Sequence, residues 1–289
     1  MTAGVASYGA LLDAVRGVRW PARRRATGAT IGAHRSRLRG SSSEFSEFRP
    51  YRQGDDPRRV DWRLLARSDR AYVRLTTDRA TMRTEIVLDA SASMAFPPVT
   101  MERWHRAREV AIGLAAVAHA ESDPVGLAVA AQPPARIPPR ARRSVIAQMI
   151  RAVDGVVPAG ASPLAPLLAS SRAPRVAIIT DLLGDADDLL AESRLAIAAG
   201  GEVVLLHLMT AEELDPPVEA QLAVDPEAPA VRRSLDAEGR QGYRTALDAW
   251  MQRMQDGFRL AGVHYVRALA SESAERIVRR VASDTPVDA

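Results

Sequence analysis

From Thr84 onward, short apolar runs alternate with longer stretches of helical periodicity. Alternation of this kind is typical of a parallel sheet with helices packed on its faces. The first run, Ile86–Leu88, is continuously apolar, which predicts a strand buried on both faces. After the turn at Pro133-Pro134, Ala135–Ile137 is predicted to return as an edge strand, where neighbouring prolines are tolerated. We therefore predict an α/β fold, a doubly wound and mostly parallel sheet with one antiparallel edge strand.

The remaining elements follow from the same patterns. The predicted strands are Val125–Ala131, Arg175–Thr180, Glu202–Leu208 and Val263–Leu269. The predicted helices are Met101–Glu121, Ala141–Val153, Ala186–Ala199, Tyr243–Leu260 and a last helix, capped by Ser271, that ends near Val281. Thr210–Arg240 breaks this rhythm with prolines and acids, and connections of this length are usually functional or mobile. Because it leaves the carboxyl end of a parallel strand, we predict that it lies on the same side as the loop after Leu88.

Residues 1–83 are predicted to form a basic N-terminal arm and an extension that packs on a main domain at 84–289. Apolar residues in the arm make a short helical stripe suited to docking on a partner: Leu11, Leu12, Val15 and Val18. Gly40–Ser43 is a hinge by composition. Asp56 and Pro57 predict a helix start, with the helix ending near Arg67, and Ala71–Leu75 predicts a strand. Four aromatic residues are expected to bury against the main domain while arginines pair with acids: Phe45, Phe48, Tyr51 and Trp62, with Asp55, Asp56 and Asp61.

Composition excludes several classes of protein. The chain has no cysteine, so disulfides, thiolate catalysis, thiolate zinc sites and iron–sulfur clusters are ruled out. No apolar run approaches the roughly 20 residues needed to cross a bilayer, and Met1–Leu12 does not have the pattern of a signal peptide. We expect a cytoplasmic protein.

The first buried strand ends in a loop that carries one carboxylate and two hydroxyls at alternate positions: Asp89, Ser91 and Ser93. In an open α/β sheet, ligands bind beyond the carboxyl ends of the strands, where strand order reverses. Three hard oxygen donors in so short a space suit a cation such as Mg²⁺. The alternative is a serine-rich turn that caps the next helix, because the D-x-S-x-S pattern is loose.

Two further oxygen donors lie where a metal site at this edge needs them. Ser162 lies in a loop before a helix, and Asp181 directly follows a buried strand. If the strands carrying Asp89 and Asp181 are neighbours, all these donors converge at one rim. Ser162 before Pro163 is also an ordinary N-cap pair, and Asp181 can cap a turn. The predicted metal ligands are Asp89, Ser91, Ser93, Ser162 and Asp181, with Mg²⁺, Mn²⁺ or Ca²⁺ as the cation.

These residues carry a resemblance to known proteins. The D-A-S-A-S loop, the Ser162 loop and Asp181 resemble the metal-ion-dependent adhesion site of von Willebrand factor A domains. The preceding run, EF…RPY…GDDPR…DW…AR, resembles the bacterial family called domain of unknown function 58, and the resemblance extends from about Arg35 to the end of the chain. It implies a doubly wound α/β fold with an antiparallel edge strand. The loop hydroxyl is usually threonine in von Willebrand factor A domains, and Ser162 keeps the oxygen.

The resemblance also implies a function. Family members are often encoded beside MoxR-type AAA+ ATPases and are thought to act with them in protein assembly or maturation. We therefore expect an adaptor without enzymatic activity or a small-molecule substrate. Because hydroxyl ligands are neutral, they neutralise a bound cation only partly, and a carboxylate from a protein partner is a natural further ligand. The Thr210–Arg240 loop can gate this site, or occupy it in cis with a glutamate.

Two alternatives stay open. The arginine-rich segment Arg16–Arg39 is a candidate for binding nucleic acid or an anionic membrane surface, although aromatic residues for base stacking are nearly absent there. The other alternative is a metal-dependent hydrolase. Haloacid-dehalogenase-type phosphatases need a second carboxylate two residues after the first, where this chain has Ser91. The histidines are too scattered for a zinc site, and the sequence contains no phosphate-loop motif.

Overall fold

A computed structural model describes residues 8–23, 31–35, 45–53, 55, 57, 60–68, 70–76 and 79–283. These residues fall into two compact units. The larger unit comprises 8–23 and 83–283, and the smaller unit lies between residues 25 and 82. Two predicted features, the hinge at Gly40–Ser43 and the helix cap at Asp56, lie outside the described residues.

The helices and strands are named in chain order. The helices are α1 Gly9–Ala14, α2 Trp62–Ser68, α3 Glu102–Ala120, α4 Val145–Asp154, α5 Ala165–Ser170, α6 Ala186–Ala198, α7 Ala211–Leu214, α8 Ala237–Leu260 and α9 Ala274–Ala282. The strands are β1 Ile31–Arg35, β2 Phe45–Pro50, β3 Tyr72–Thr76, β4 Arg79–Ala80, β5 Thr84–Asp89, β6 Val125–Ala130, β7 Ala135–Arg140, β8 Arg175–Thr180, β9 Glu202–Met209, β10 Leu222–Val224, β11 Arg232–Ser234 and β12 His264–Leu269. A short 3₁₀ helix spans Ala92–Ala95.

The larger unit is built on a six-stranded sheet with the order β12-β9-β8-β5-β6-β7. All neighbours in it are parallel except β6 and β7, which are antiparallel. Strands β5, β6, β8 and β9 are buried along their whole length, as their continuous apolar runs predict. Helices cover both faces and form two apolar clusters with the sheet. The predicted fold class, a doubly wound and mostly parallel sheet with an antiparallel edge strand, is confirmed.

Some predicted boundaries were wrong for local reasons. The last helix is capped by Ser273, whose hydroxyl accepts a hydrogen bond from the backbone N–H of Arg276, and not by Ser271. Helix α8 begins well before Tyr243, because Asp236 caps it by accepting from the backbone N–H of Gly239. The acidic segment after β9, which the sequence marks only as a long connection, contains α7 and a hairpin formed by β10 and β11.

The N-terminal segment belongs to the core of the larger unit. Tyr8, Val15 and Trp20 are buried in the same apolar cluster as β5 and α3, and Leu11, Leu12 and Val18 pack against it. The prediction that this stripe docks on a partner was therefore wrong. The guanidinium of Arg175 lies 4.6 Å from the Trp20 ring centroid and donates to the carbonyl of Pro21. Two of the arm's arginines are engaged within the chain: Arg16 pairs with Asp13, and Arg23 donates to the carbonyl of Ser283.

The smaller unit contains the antiparallel pair β2–β3, helix α2 and the short β1–β4 pair. Helix α2 begins at Trp62 and not at Pro57, because the Asp61 carboxylate accepts from the backbone N–H groups of Arg63 and Leu64. Three of the four aromatic residues that were expected to be buried are exposed, namely Phe48, Tyr51 and Trp62. The side chain of Phe45 lies outside the part of the chain that the structure describes. The expected pairing of Asp55 does occur, with Arg49. Nowhere in the described part of the chain is there a helix with the length and apolar character needed to span a membrane.

Candidate metal centre

The candidate metal site lies at the point where the strand order of the sheet reverses. Strand β5 lies between β6 and β8, and it is parallel to both. Asp89 is the last residue of β5, and Asp181 directly follows β8. The structure therefore places both predicted carboxylates at the carboxyl edge of adjacent strands, where open α/β sheets bind their ligands.

Asp89 is held in place by two hydrogen bonds. The hydroxyl of Thr180 donates to its Oδ2 at 2.7 Å, and the backbone N–H of Ser91 donates to its Oδ1 at 2.9 Å. Only 4% of the residue is exposed. Burial, reinforced by the negative charge of Asp181, raises the pKa of Asp89 well above its usual range. A positive charge bound here would remove this cost of ionising Asp89.

The two loop serines face each other. The Oγ atoms of Ser91 and Ser93 lie 3.0 Å apart, and both residues are buried. The backbone carbonyl of Ser93 accepts a hydrogen bond from Arg103 at 3.0 Å. The loop thus buries two hydroxyl oxygens in the turn after Asp89, and both belong to residues that the sequence predicts as metal ligands.

The Ser162 loop is attached to the Asp89 loop by backbone hydrogen bonds. The N–H of Ala92 donates to the carbonyl of Gly160 at 2.8 Å, and the N–H of Ala159 donates to the carbonyl of Ala90 at 3.0 Å. Gly160 has a φ of +64°, a conformation that favours glycine. Ser162 follows two residues later, and its Oγ is buried without any hydrogen-bond partner.

Ser162 does not have the ordinary role left open for it above. Helix α5 begins at Ala165, and its first N–H groups are satisfied from another loop. The Asp185 carboxylate accepts from the N–H groups of Leu164 and Ala165, both at 2.9 Å. Asp185, and not Ser162, therefore stabilises the start of this helix.

Asp181 is ion-paired within the protein. Its Oδ2 accepts from Arg103 on the first turn of α3, and its Oδ1 accepts from the backbone N–H of Leu183 at 3.1 Å. The other terminal nitrogen of Arg103 pairs with Glu213. Between Asp181 and Leu183, Leu182 has a φ of +60°, a strained conformation for a bulky side chain. A bulky residue thus adopts the left-handed backbone conformation directly after Asp181.

Four residues at this edge were missed as site residues: Thr180, Arg103, Glu213 and Glu227. The Ser93 hydroxyl lies 3.4 Å from Oε1 of Glu227, at the tip of the β10–β11 hairpin. Burial raises the pKa of Glu213 and of Glu227, and the negative charge of Asp181 raises both further. The acidic composition of Thr210–Arg240 pointed to this segment but did not single out either glutamate.

The predicted ligands can be compared with the oxygen donors that a divalent cation prefers. Among the described residues, no three His, Asp or Glu side chains form a group able to hold a metal ion. The predicted set instead combines two carboxylates with three hydroxyls. Leaving a buried hydroxyl unpaired costs about 1–3 kcal/mol, and the Oγ of Ser162 is in that position. A hard cation suits these oxygens and would give Ser162 a partner.

The chain is similar to several known proteins. A family model described as "Protein of unknown function DUF58" matches residues 47–254. "Uncharacterized protein Rv1480" of Mycobacterium tuberculosis is 28% identical over 250 residues, which cover 83% of this chain and 78% of that protein. The solved structure of BatB from Bacteroides thetaiotaomicron is similar, with 22% identity, a TM-score of 0.42 and coverage of 68% of this chain and 95% of that one. An aerotolerance-related membrane protein from Bacteroides fragilis gives 18% identity, a TM-score of 0.44 and coverage of 69% and 97%.

Proposed function

The chain belongs to the DUF58 family of unknown function, and from that premise we propose that it is a metal-dependent protein–protein interaction module. In this proposal the site at the carboxyl edge of β5 and β8 binds a divalent cation, Mg²⁺ in the first instance, through Asp89, Ser91, Ser93, Ser162 and Asp181. The partner is a protein that offers a carboxylate. By resemblance to its family, the chain acts as an adaptor with a MoxR-type AAA+ ATPase in protein assembly or maturation.

The observation that carries the proposal is the unpaired hydroxyl of Ser162. Buried hydroxyls are nearly always hydrogen-bonded. The loop of Ser162 is attached to the loop of Asp89, and Asp185 already caps the helix that follows. A cation shared with Asp89 explains why a serine oxygen is buried at this position.

The chain's own residues prepare the site for an external carboxylate. Thr180 and the N–H of Ser91 fix the orientation of Asp89, so this ligand needs no reorganisation on binding. Arg103 neutralises part of the charge of Asp181, and the serine hydroxyls contribute none. A bound cation here supplies a positive centre that is only partly neutralised, and a carboxylate oxygen of the partner completes its coordination.

Exposed apolar side chains on the site loops fit a protein partner. Val99 follows the Asp89 loop, Val157 precedes the Ser162 loop, and Leu183 follows Asp181; their exposed fractions are 94%, 77% and 47%. Large exposed apolar groups near polar binding residues are a common feature of protein interfaces. A small-molecule site would be expected to enclose its ligand, whereas these side chains point into solvent.

The test uses two serines whose hydroxyls are both buried and unpaired: Ser162 at the site and Ser193 in helix α6. Replacing either by alanine removes an oxygen without breaking a hydrogen bond within the protein, so both variants should fold. Calorimetric titration with Mn²⁺ should show at least tenfold weaker binding for S162A and no change for S193A. Equal affinities in S162A and the wild type would refute the metal site.

The partner is tested separately, by affinity capture on the immobilised chain with and without a chelator. A MoxR-type AAA+ ATPase retained only in the presence of the cation supports the adaptor role. Retention of the same proteins by S162A and after chelation would contradict a metal-bridged interaction.

A further inference from the structure

The β10–β11 hairpin brings an acid of the chain itself to the candidate metal site. Its tip carries Glu227, whose Oε1 lies 3.4 Å from the Oγ of Ser93, 134 residues away in the sequence. On the other side, the Oε2 of Glu227 lies 3.7 Å from the position that a Cβ on Gly184 would take. Glu227 is thus in contact with the Asp89 loop and close to the loop that follows Asp181.

The charge around Glu227 is unbalanced. Arg103 pairs with Asp181 and Glu213, and the negative charge of Asp181 also acts on Asp89 and Glu227. No ion pair in the described part of the chain includes Glu227. A partly buried carboxylate beside the buried carboxylate of Asp181 is unfavourable unless a cation accompanies it. The position of Glu227 therefore indicates a positive charge that the protein side chains do not supply.

The hairpin is firmly held at its base. Arg240 of α8 donates to the carbonyls of Pro216, Pro217, Val218 and Ala220, just before β10. Leu235, directly after β11, is buried and pairs with Gln221 through its backbone N–H.

The tip of the hairpin is held by fewer contacts. Leu222, Val224 and Val231 are about half exposed, so the paired strands bury little apolar surface. The Asp225 carboxylate accepts from the N–H of Glu227 at 2.8 Å and so fixes the turn that presents it. Two-stranded hairpins are only marginally stable in water. The tip can therefore leave the site while the base stays in place.

We propose that Glu227 is an internal ligand of this metal site that reaches the cation through water, and that a partner carboxylate must displace it. The inference rests on the proposed function, because it requires the cation. The hairpin is then the element that competes with the partner for the cation. In the free protein the metal site is then occupied by Glu227, and the partner's carboxylate takes its place on binding.

The experiment compares E227Q with E219Q in the full chain. Glu219 is exposed and lies in the same acidic segment, so both variants lose one negative charge from the same region. In a titration with Mn²⁺ alone, E227Q should bind about tenfold more weakly than the wild type, and E219Q should bind equally well. Hydrogen exchange at residues 225–231 provides a second readout. Mg²⁺ should slow this exchange in the wild type and in E219Q but not in E227Q, and saturating acetate should restore fast exchange in the Mg²⁺-loaded wild type.

The outcomes separate this inference from the proposed function. If S162A loses Mn²⁺ affinity but E227Q and E219Q behave alike in both measurements, the metal site stands and the role of Glu227 is wrong. If Mg²⁺ protects the hairpin tip but acetate does not reverse the protection, Glu227 does not compete with a carboxylate and the inference fails. If the wild type binds no cation, both proposals fail.

Discussion

Arg103 and Asp181 form an ion pair in which only 2% and 1% of the two side chains are exposed. Arg103 lies on the first turn of α3, and Asp181 directly follows β8, 78 residues later. The same guanidinium also reaches Glu213 and the carbonyl of Ser93. One arginine thus connects the Asp89 loop, the segment after β8 and helix α7, and it supplies the internal positive charge of the candidate metal site.

Replacing Arg103 by methionine should destabilise the protein by about 3–5 kcal/mol in metal-free buffer, because Asp181 and Glu213 would remain buried without a counter-charge. Urea denaturation followed by circular dichroism measures this change. We expect Mg²⁺ to stabilise R103M more than the wild type, because the cation then neutralises Asp181 alone. As a control, R16M removes a pair in which 82% of Arg16 and 72% of Asp13 are exposed, and its stability should match that of the wild type. Equal stability of R103M and R16M would contradict a structural role for the buried pair.

Replacing Trp20 by alanine should destabilise the larger unit by about 3–5 kcal/mol, because a large side chain is lost from a closed core. Trp20 is 1% exposed and lies against the guanidinium of Arg175. Trp62 is the matched control, because it is 63% exposed and its replacement should cost less than about 0.5 kcal/mol. Urea midpoints of both variants provide the comparison. If W20A were as stable as W62A, residues 8–23 would not be part of the core.

The fold was predictable wherever apolar periodicity determines the structure. The predicted strand Arg175–Thr180 is observed as such, because its short apolar run, rich in β-branched residues, suits a strand buried on both faces of the sheet. Prediction failed where two local signals competed. The sequence around Pro57 has the chemistry of a helix start, but Asp61 supplies the cap and helix α2 begins after it. A choice between nearby caps depends on tertiary packing, which local sequence does not record.

Some residues of the candidate site could be predicted from the sequence, and others could not. Asp89 and Asp181 were identifiable because parallel strands bring their carboxyl ends to one edge. Arg103 was not, because an arginine in the first turn of a helix ordinarily faces solvent, and its burial depends on partners distant in sequence. Glu227 was one of several acids in its segment, and only the path of the hairpin distinguishes it.

Replacing Leu183 by aspartate should abolish retention of a protein partner while leaving Mn²⁺ affinity no weaker than that of the wild type. Leu183 is half-exposed beside Asp181, so the substitution adds a charge to the proposed interface without removing a metal ligand. Affinity capture and calorimetry on the same preparation measure both effects. The control is L195D, because Leu195 is 63% exposed on helix α6 and is not on a site loop. Loss of capture by both variants would mean that a new surface charge alone prevents binding.

His264 is partly buried at the start of β12. Burial, together with the positive charge of Arg23, lowers the pKa of this imidazole to about 4. Arg23 Nη2 lies 3.1 Å from Nε2 of His264, which suits a neutral ring that accepts a hydrogen bond. In the unfolded chain the ring titrates near its ordinary pKa of about 6.5. Between these two values the unfolded state binds more protons, so the free energy of unfolding falls as the pH is lowered.

The H264Q variant should lose this part of the pH dependence, because the glutamine carbonyl can still accept from Arg23 but does not titrate. Allowing for the partial exposure of the ring, we expect the wild type to lose roughly 1–2 kcal/mol more than H264Q between about pH 7.5 and about pH 5. Burial also lowers the pKa of His207 to about 4, so H264Q retains some acid sensitivity. Urea midpoints at the two pH values measure the difference, and the two proteins should be nearly equal at the higher one. An identical loss of stability in both proteins on acidification would show that His264 takes up no proton on unfolding.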